Sequence, residues 1–303
     1  MNKNTTSTSK LSISKLCLIS AMTIFSTIGI FRRFIPLSSG ILAAIRGFVG
    51  TLFLLLVFFA KKEKFHLDII KKNLFLLLLS GCLIGFNWIF LFESYRYTTV
   101  ATATLCYYMA PIFVMIASPF LFKEKMTLKK GLCILSALIG MVFVSGILTE
   151  NPSSEISQNS QIKGILFGLL AASFYATVIL LNKKIKKVGA YEKTIFQLGS
   201  AAITILPYIL LTESFDVASL TPLVLVLLVF VGIVHTGIAY TLYFHSMGDL
   251  KAQTIALYSY IDPILAIVLS AIILKEHMHP LAILGAILIL GAALISDLPE
   301  GEK

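Results

Sequence analysis

The chain has 303 residues, of which 57% are hydrophobic and 13% charged, with a net charge of +10 and a mean hydropathy of +0.92. A soluble domain carries about twice that charged fraction, so the composition excludes one and implies an integral membrane protein. The excess of cations does not imply a nucleic-acid partner, because Lys and Arg gather at the ends of apolar stretches rather than along one exposed patch.

A helix needs roughly 20 apolar residues to cross a bilayer core. Ten stretches qualify, at about 14–34, 39–60, 73–95, 99–122, 128–148, 163–182, 192–212, 220–244, 252–274 and 280–297. The first follows a basic start (Lys3, Lys10, Lys15) but is too long for a signal peptide and ends in Arg32-Arg33, so it reads as a retained span. The segment 149–161, TENPSSEISQNSQ, is polar and reads as a linker near the midpoint. The expected organisation is a tail at 1–13, a five-helix repeat at 14–148, the linker at 149–161, a second repeat at 162–297 and a tail at 298–303.

The two halves share a motif 152 residues apart. LCYYMAPIFVMIASPFLFKEKM (105–126) aligns without a gap on LYSYIDPILAIVLSAIILKEHM (257–278), matching Tyr108 with Tyr260, Pro111 with Pro263 and Lys123-Glu124 with Lys275-Glu276. With the N-terminus inside, 19 Lys and Arg residues fall on the cytoplasmic side and five outside, which places both termini in the cytoplasm. Five spans per half is an odd number, so the second copy enters the bilayer from the opposite side. The predicted fold is an all-α membrane protein of ten transmembrane helices in two inverted five-helix repeats, an arrangement that supplies one conformation open to each side.

Ten spans, two five-helix halves and a Pro-containing apolar stretch that ends in Lys-Glu resemble the drug/metabolite transporter superfamily, and within it the EamA-type members with two EamA domains. The segment FSTIGIFRRFIPLSSGILAAIRGF also fits that pattern. The resemblance covers residues 14–297. It implies a secondary transporter of small metabolites, commonly amino acids and related compounds moved outward. It also implies a central cavity between the halves, lined by helices 1, 3, 4, 6, 8 and 9.

Several residues could carry the chemistry. Asp262, directly before Pro263, is an ionisable group deep in helix 9 whose repeat mate is the neutral Ala110. It is expected to couple protons or bind a cationic group, with structural pairing as the alternative. Arg46 in helix 2 could hold a substrate carboxylate, pair with Asp262 or Glu93, or snorkel to the surface. His235 in helix 8 could bind substrate or relay protons, or be a satisfied core histidine. Asn87 and the sole tryptophan, Trp88, lie in helix 3 beside Gly85, whose mate is Gly237. Trp88 is away from the interfacial belts, which suits cavity lining.

Tyrosines form the largest group: Tyr107 and Tyr108 in helix 4, Tyr175 in helix 6, Tyr240 and Tyr243 in helix 8, Tyr258 and Tyr260 in helix 9. A buried tyrosine hydroxyl needs a partner that lipid cannot offer, so a wet cavity, a substrate or neighbouring carbonyls must supply it.

The four cysteines lie in apolar stretches and read as small buried hydrophobes. EHMH at 276–279 reads as a solvated helix end rather than a metal site, and phosphate-binding and hydrolase motifs are absent. The expected function is therefore not enzymatic and needs no cofactor beyond possible proton coupling. It is secondary-active, alternating-access export of amino acids or related metabolites across the plasma membrane, by a monomer or homodimer. The alternative is import of a cationic or nucleoside-like substrate such as choline or S-adenosylmethionine. A lipid-headgroup flippase or membrane sensor is a weaker rival.

Overall fold

Backbone N–H and C=O groups in hydrocarbon are satisfied only within a helix or a closed barrel. The computed structural model describes residues 3–123, 126–144, 148, 157–213, 220–250 and 258–297, and the regular elements among them are all helical. Span 1 comprises α1 (Lys3–Ser26) and α2 (Ile28–Phe34), span 2 is α3 (Ser39–Ala60) and span 3 is α4 (Leu67–Tyr97). Span 4 comprises α5 (Val100–Tyr107) and α6 (Ala110–Phe122), and span 5 is α7 (Leu128–Val144). In the second half, span 6 is α8 (Gln158–Asn182) and span 7 is α9 (Ala190–Thr212). Span 8 runs from α10 (Pro222–Phe230) through a π-helical segment (Val231–Ile238) to α11 (Ala239–Asp249). Spans 9 and 10 are α12 (Ile261–Ile273) and α13 (Pro280–Asp297).

Among the described residues, seven spans, 1 to 4 and 6 to 8, are long and apolar enough to cross a membrane by themselves. Spans 9 and 10 have shorter apolar helices, Ile261–Ile273 and Pro280–Ile295, and the helix of span 5 has 17 residues. Residues 145–147 and 252–257, expected in spans 5 and 9, lie outside the described residues.

Packing follows the exchange of the two halves. Span 3 packs on span 6, and span 8 packs on span 1; span 3 on span 7 is matched by span 8 on span 2. The pairs 2 with 7, 4 with 9 and 5 with 10 map onto themselves. Small residues permit the closest approaches. A Cβ on Gly85 would meet the Ala201 carbonyl oxygen at 3.1 Å, and one on its mate Gly237 would meet Phe53 at 2.3 Å. The two glycines thus serve the equivalent contacts, span 3 on 7 and span 8 on 2.

The repeated Lys-Glu pair is a helix-ending device. Lys123 caps α6 with φ 55°, and Lys275 follows α12 with φ 54°. This left-handed conformation costs an ordinary residue about 1–2 kcal/mol but turns the chain sharply. After Lys275, the Glu276 carboxylate accepts hydrogen bonds from the backbone N–H groups of Val100 (2.9 Å) and Ala101 (3.5 Å). A loop of the second half thereby caps the first turn of α5 in the first half. Glu124, the mate of Glu276, lies outside the described residues.

Candidate functional site

Proline sets the geometry at the centre of spans 4 and 9. Pro111 occupies the first turn of α6 and Pro263 that of α12, where a missing N–H costs nothing. Both helices are interrupted just before, at Tyr108-Met109 and at Tyr260, which are repeat mates or adjoin them. Broken helices facing each other leave polar backbone and side chains around a space that hydrocarbon would not tolerate.

That space is a cavity of about 450 Å³, within the range of small-molecule sites. Its wall comes from spans 1, 3, 4, 6, 8 and 9, and Arg46 reaches into it from span 2. Asp262 lies on the span 9 side, where its Oδ2 accepts a hydrogen bond from the Tyr108 hydroxyl at 3.0 Å. The break in span 4 thus positions the hydroxyl that meets the acid of span 9. Tyr107 packs on Tyr175 with ring centroids 5.4 Å apart, and Tyr240 packs on Phe25 at 5.3 Å, continuing the aromatic wall.

Arg46 is 6% exposed. Its guanidinium lies over the Trp88 ring, 4.5 Å from the centroid, and its Nε donates to Thr236 Oγ1 at 2.9 Å. Among the described residues no carboxylate comes within ion-pair distance of it. Glu93 instead pairs with Arg96 at 2.9 Å. The internal pairing with Asp262 or Glu93 considered from sequence is not formed.

Of the residues singled out from sequence, Asn87, Trp88, Tyr107, Tyr108, Tyr175, Tyr240, Tyr243, Tyr260, Asp262 and Arg46 share this one wall. Asn87 also ties span 3 to span 6 through its Nδ2 and the Ala171 carbonyl at 2.7 Å. His235 and Tyr258 are outside it. His235 is 1% exposed, joined through Nε2 to the Thr27 hydroxyl at 2.8 Å and set edge-on to Phe31. It braces the joint between α1 and α2. Tyr258 packs with Leu18, Met22 and Leu250.

The wall also includes Tyr95, Thr104 and Ser259, which the sequence reading did not select. Tyr95 follows Trp88 and Leu91 at helical spacing on the cavity face of α4. That periodicity was a usable signal. Thr104 and Ser259 are single small polar residues that periodicity cannot separate from ordinary lining.

The two halves also touch at the ends of spans 1 and 7 and at the start of span 2. Arg33 donates to Glu276 Oε1 at 3.1 Å and to the Thr98 carbonyl at 2.6 Å. Glu213, at the end of α9, accepts from the N–H groups of Gly40 (3.1 Å) and Ile41 (3.2 Å) and from the Ser38 hydroxyl. A Cβ at Gly40 would stand 2.7 Å from the Glu213 carboxylate, so glycine is what admits that cap. At 276–279 the polar residues serve structure: Glu276 caps α5, and His279 Nδ1 accepts from the Leu281 N–H at 3.2 Å.

Comparison with known proteins agrees with this architecture. The model of the EamA-like transporter family matches residues 12–146 and 162–296. An uncharacterized transporter of Bacillus subtilis (strain 168), YxxF, is 33% identical over 259 residues, covering 84% of this chain and 80% of its own. A probable amino-acid metabolite efflux pump of Salmonella typhimurium is 27% identical over 239 residues, 75% of this chain and 77% of its own. A crystallised protein 20% identical in sequence superposes with a TM-score of 0.64 over 94% of this chain and 96% of its own, a likeness of fold alone. With both halves matched and a relative at this identity spanning most of its length, the chain is a membrane transporter and belongs to the EamA-like transporter family.

Proposed function

We propose that the protein is a secondary-active exporter of amino acids or related small metabolites, working by alternating access. The observation that carries this reading is the polar, aromatic cavity between the two halves, with one carboxylate and one guanidinium that do not pair with each other. Two halves related by exchange supply the two conformations, and the cavity volume suits a metabolite of amino-acid size. The name of the Salmonella relative points to the same cargo class. The protein sits in the plasma membrane in this reading, and the charge asymmetry of the loops supports an orientation with both termini in the cytoplasm. In that orientation the end bearing Arg33, Glu213 and Glu276 faces outward.

Asp262 is the coupling residue in this scheme, alternately protonated from the two sides with the Tyr108 hydroxyl as its partner. Flux of radiolabelled amino acids into proteoliposomes under an imposed pH gradient tests it. Asp262→Asn abolishes the gradient-driven component while substrate exchange at equal pH persists. Undiminished gradient-driven flux in the variant removes the coupling role. A thermal-shift screen of amino acids, amines and nucleosides tests the cargo class, and stabilisation by amines alone favours cation import instead.

A further inference from the structure

We infer that Arg46, on its Trp88 platform, is a carboxylate-binding subsite that restricts the cargo to compounds bearing a carboxylate; this rests on the transport reading above for the word cargo, not for the site. A guanidinium has five N–H donors, and the single hydrogen bond from Arg46 among the described residues uses Nε. Neither terminal nitrogen meets a protein acceptor there, and neither is among the enclosed unpartnered atoms. The two-nitrogen edge therefore opens on the cavity that Arg46 lines.

The surroundings hold that edge in place. The guanidinium carbon lies over the Trp88 ring, 4.5 Å from its centroid, and over the Phe92 ring at 5.9 Å. Thr236 belongs to the π-helical segment and is pressed against α3. A Cβ on Gly50 would stand 2.3 Å from Thr236 Cγ2, and one on Gly232 would stand 2.6 Å from Val49. Thr236 is a positioning residue: with Nε engaged on Thr236 and the guanidinium held over Trp88, the remaining fork presents two parallel donors, the geometry a carboxylate accepts in bidentate fashion. A buried cation without an anionic partner is costly, and a ligand carboxylate supplies that partner. Asp262 stands on another part of the wall, so a ligand with both an ammonium and a carboxylate satisfies both poles.

The test uses the full-length protein in detergent and three matched probes: leucine, 3-methylbutylamine and 4-methylpentanoate. None absorbs where tryptophan is excited, and Trp88 is the sole tryptophan, so its emission reads events at Arg46 directly. Charge-assisted bidentate pairing predicts that leucine binds about 10- to 100-fold tighter than the amine. In Arg46→Gln the two bind alike, in Arg46→Lys a small preference returns, and in Thr236→Val the preference falls several-fold while amine binding holds. If Arg46→Gln does not fold, the Lys and Thr236→Val variants carry the test. Equal binding of amine and amino acid by the wild type, a preference that survives in Arg46→Gln, or silence of all three probes overturns the assignment. Counterflow in proteoliposomes separates the two readings. A probe bound with the expected preference that never crosses sinks transport and leaves the subsite. Probes that cross without carboxylate preference sink the subsite and leave transport.

Discussion

If the contacts of Glu276 across the halves limit access to the cavity from that end, neutralising Glu276 should open it. The carboxylate accepts two N–H groups at the start of α5 and pairs with Arg33 at 3.1 Å, and the two side chains are 12% and 29% exposed. A charge at a partly buried helix N-terminus contributes up to about 2 kcal/mol. A partly exposed ion pair adds at most about 1 kcal/mol after solvent screening. Glu276→Gln retains the shape and one acceptor oxygen, so the loss is about 1–3 kcal/mol. Glu276 lies in the second half and α5 in the first, so the alternating access proposed above would separate them. The loss then falls on the closed state alone, and the ratio of closed to open molecules drops by about 5- to 150-fold.

A single cysteine at Thr104, in the cavity wall, reports this shift once Cys17, Cys82, Cys106 and Cys133 are replaced. A membrane-impermeant thiol reagent added from outside should label Thr104→Cys faster in the Glu276→Gln background by that factor. Adding the same substitution to an Arg33→Gln background should have a smaller effect, because the ion pair is already gone. An unchanged labelling rate in a protein that still folds would refute the claim that this contact closes that end.

Two further substitutions probe the scaffold. Gly140→Val should lower thermal stability by about 1–3 kcal/mol through overpacking, since even a Cβ there would stand 2.7 Å from the Gly285 carbonyl oxygen of span 10. Flux per folded molecule should be unchanged, because Gly140 is outside the cavity wall; denaturation in detergent and proteoliposome flux check the two parts. Gln197→Leu removes hydrogen bonds at 2.7 Å to both Ser80 and Asn182, which join spans 7, 3 and 6. Hydrogen bonds inside membranes average about 0.6 kcal/mol each, so the expected cost is about 1 kcal/mol, read from the melting temperature.

Chain-local chemistry determined much of this protein. Apolar run length located the spans, because hydrocarbon demands about 20 apolar residues in a helix whatever the neighbours are. Alignment of 105–126 on 257–278 identified the repeat, and Asp262, Arg46, Trp88 and most of the tyrosines could be selected as polar or aromatic groups out of place in lipid. The tertiary structure alone decided which of these meet. Arg46 finds Thr236, 190 positions away, and Tyr108 finds Asp262, 154 away. His235, no less conspicuous in sequence, turns to Thr27 behind the wall. Residue type sets whether a side chain needs a partner, whereas the partner itself depends on helix rotation and crossing. Those are fixed by close contacts such as Gly85 on span 7 and Gly237 on span 2, which join parts of the chain far apart in sequence. The same holds for the repeated Lys-Glu pair. Its recurrence was plain in the sequence, but that Glu276 caps a helix of the opposite half emerged only once the halves were brought together.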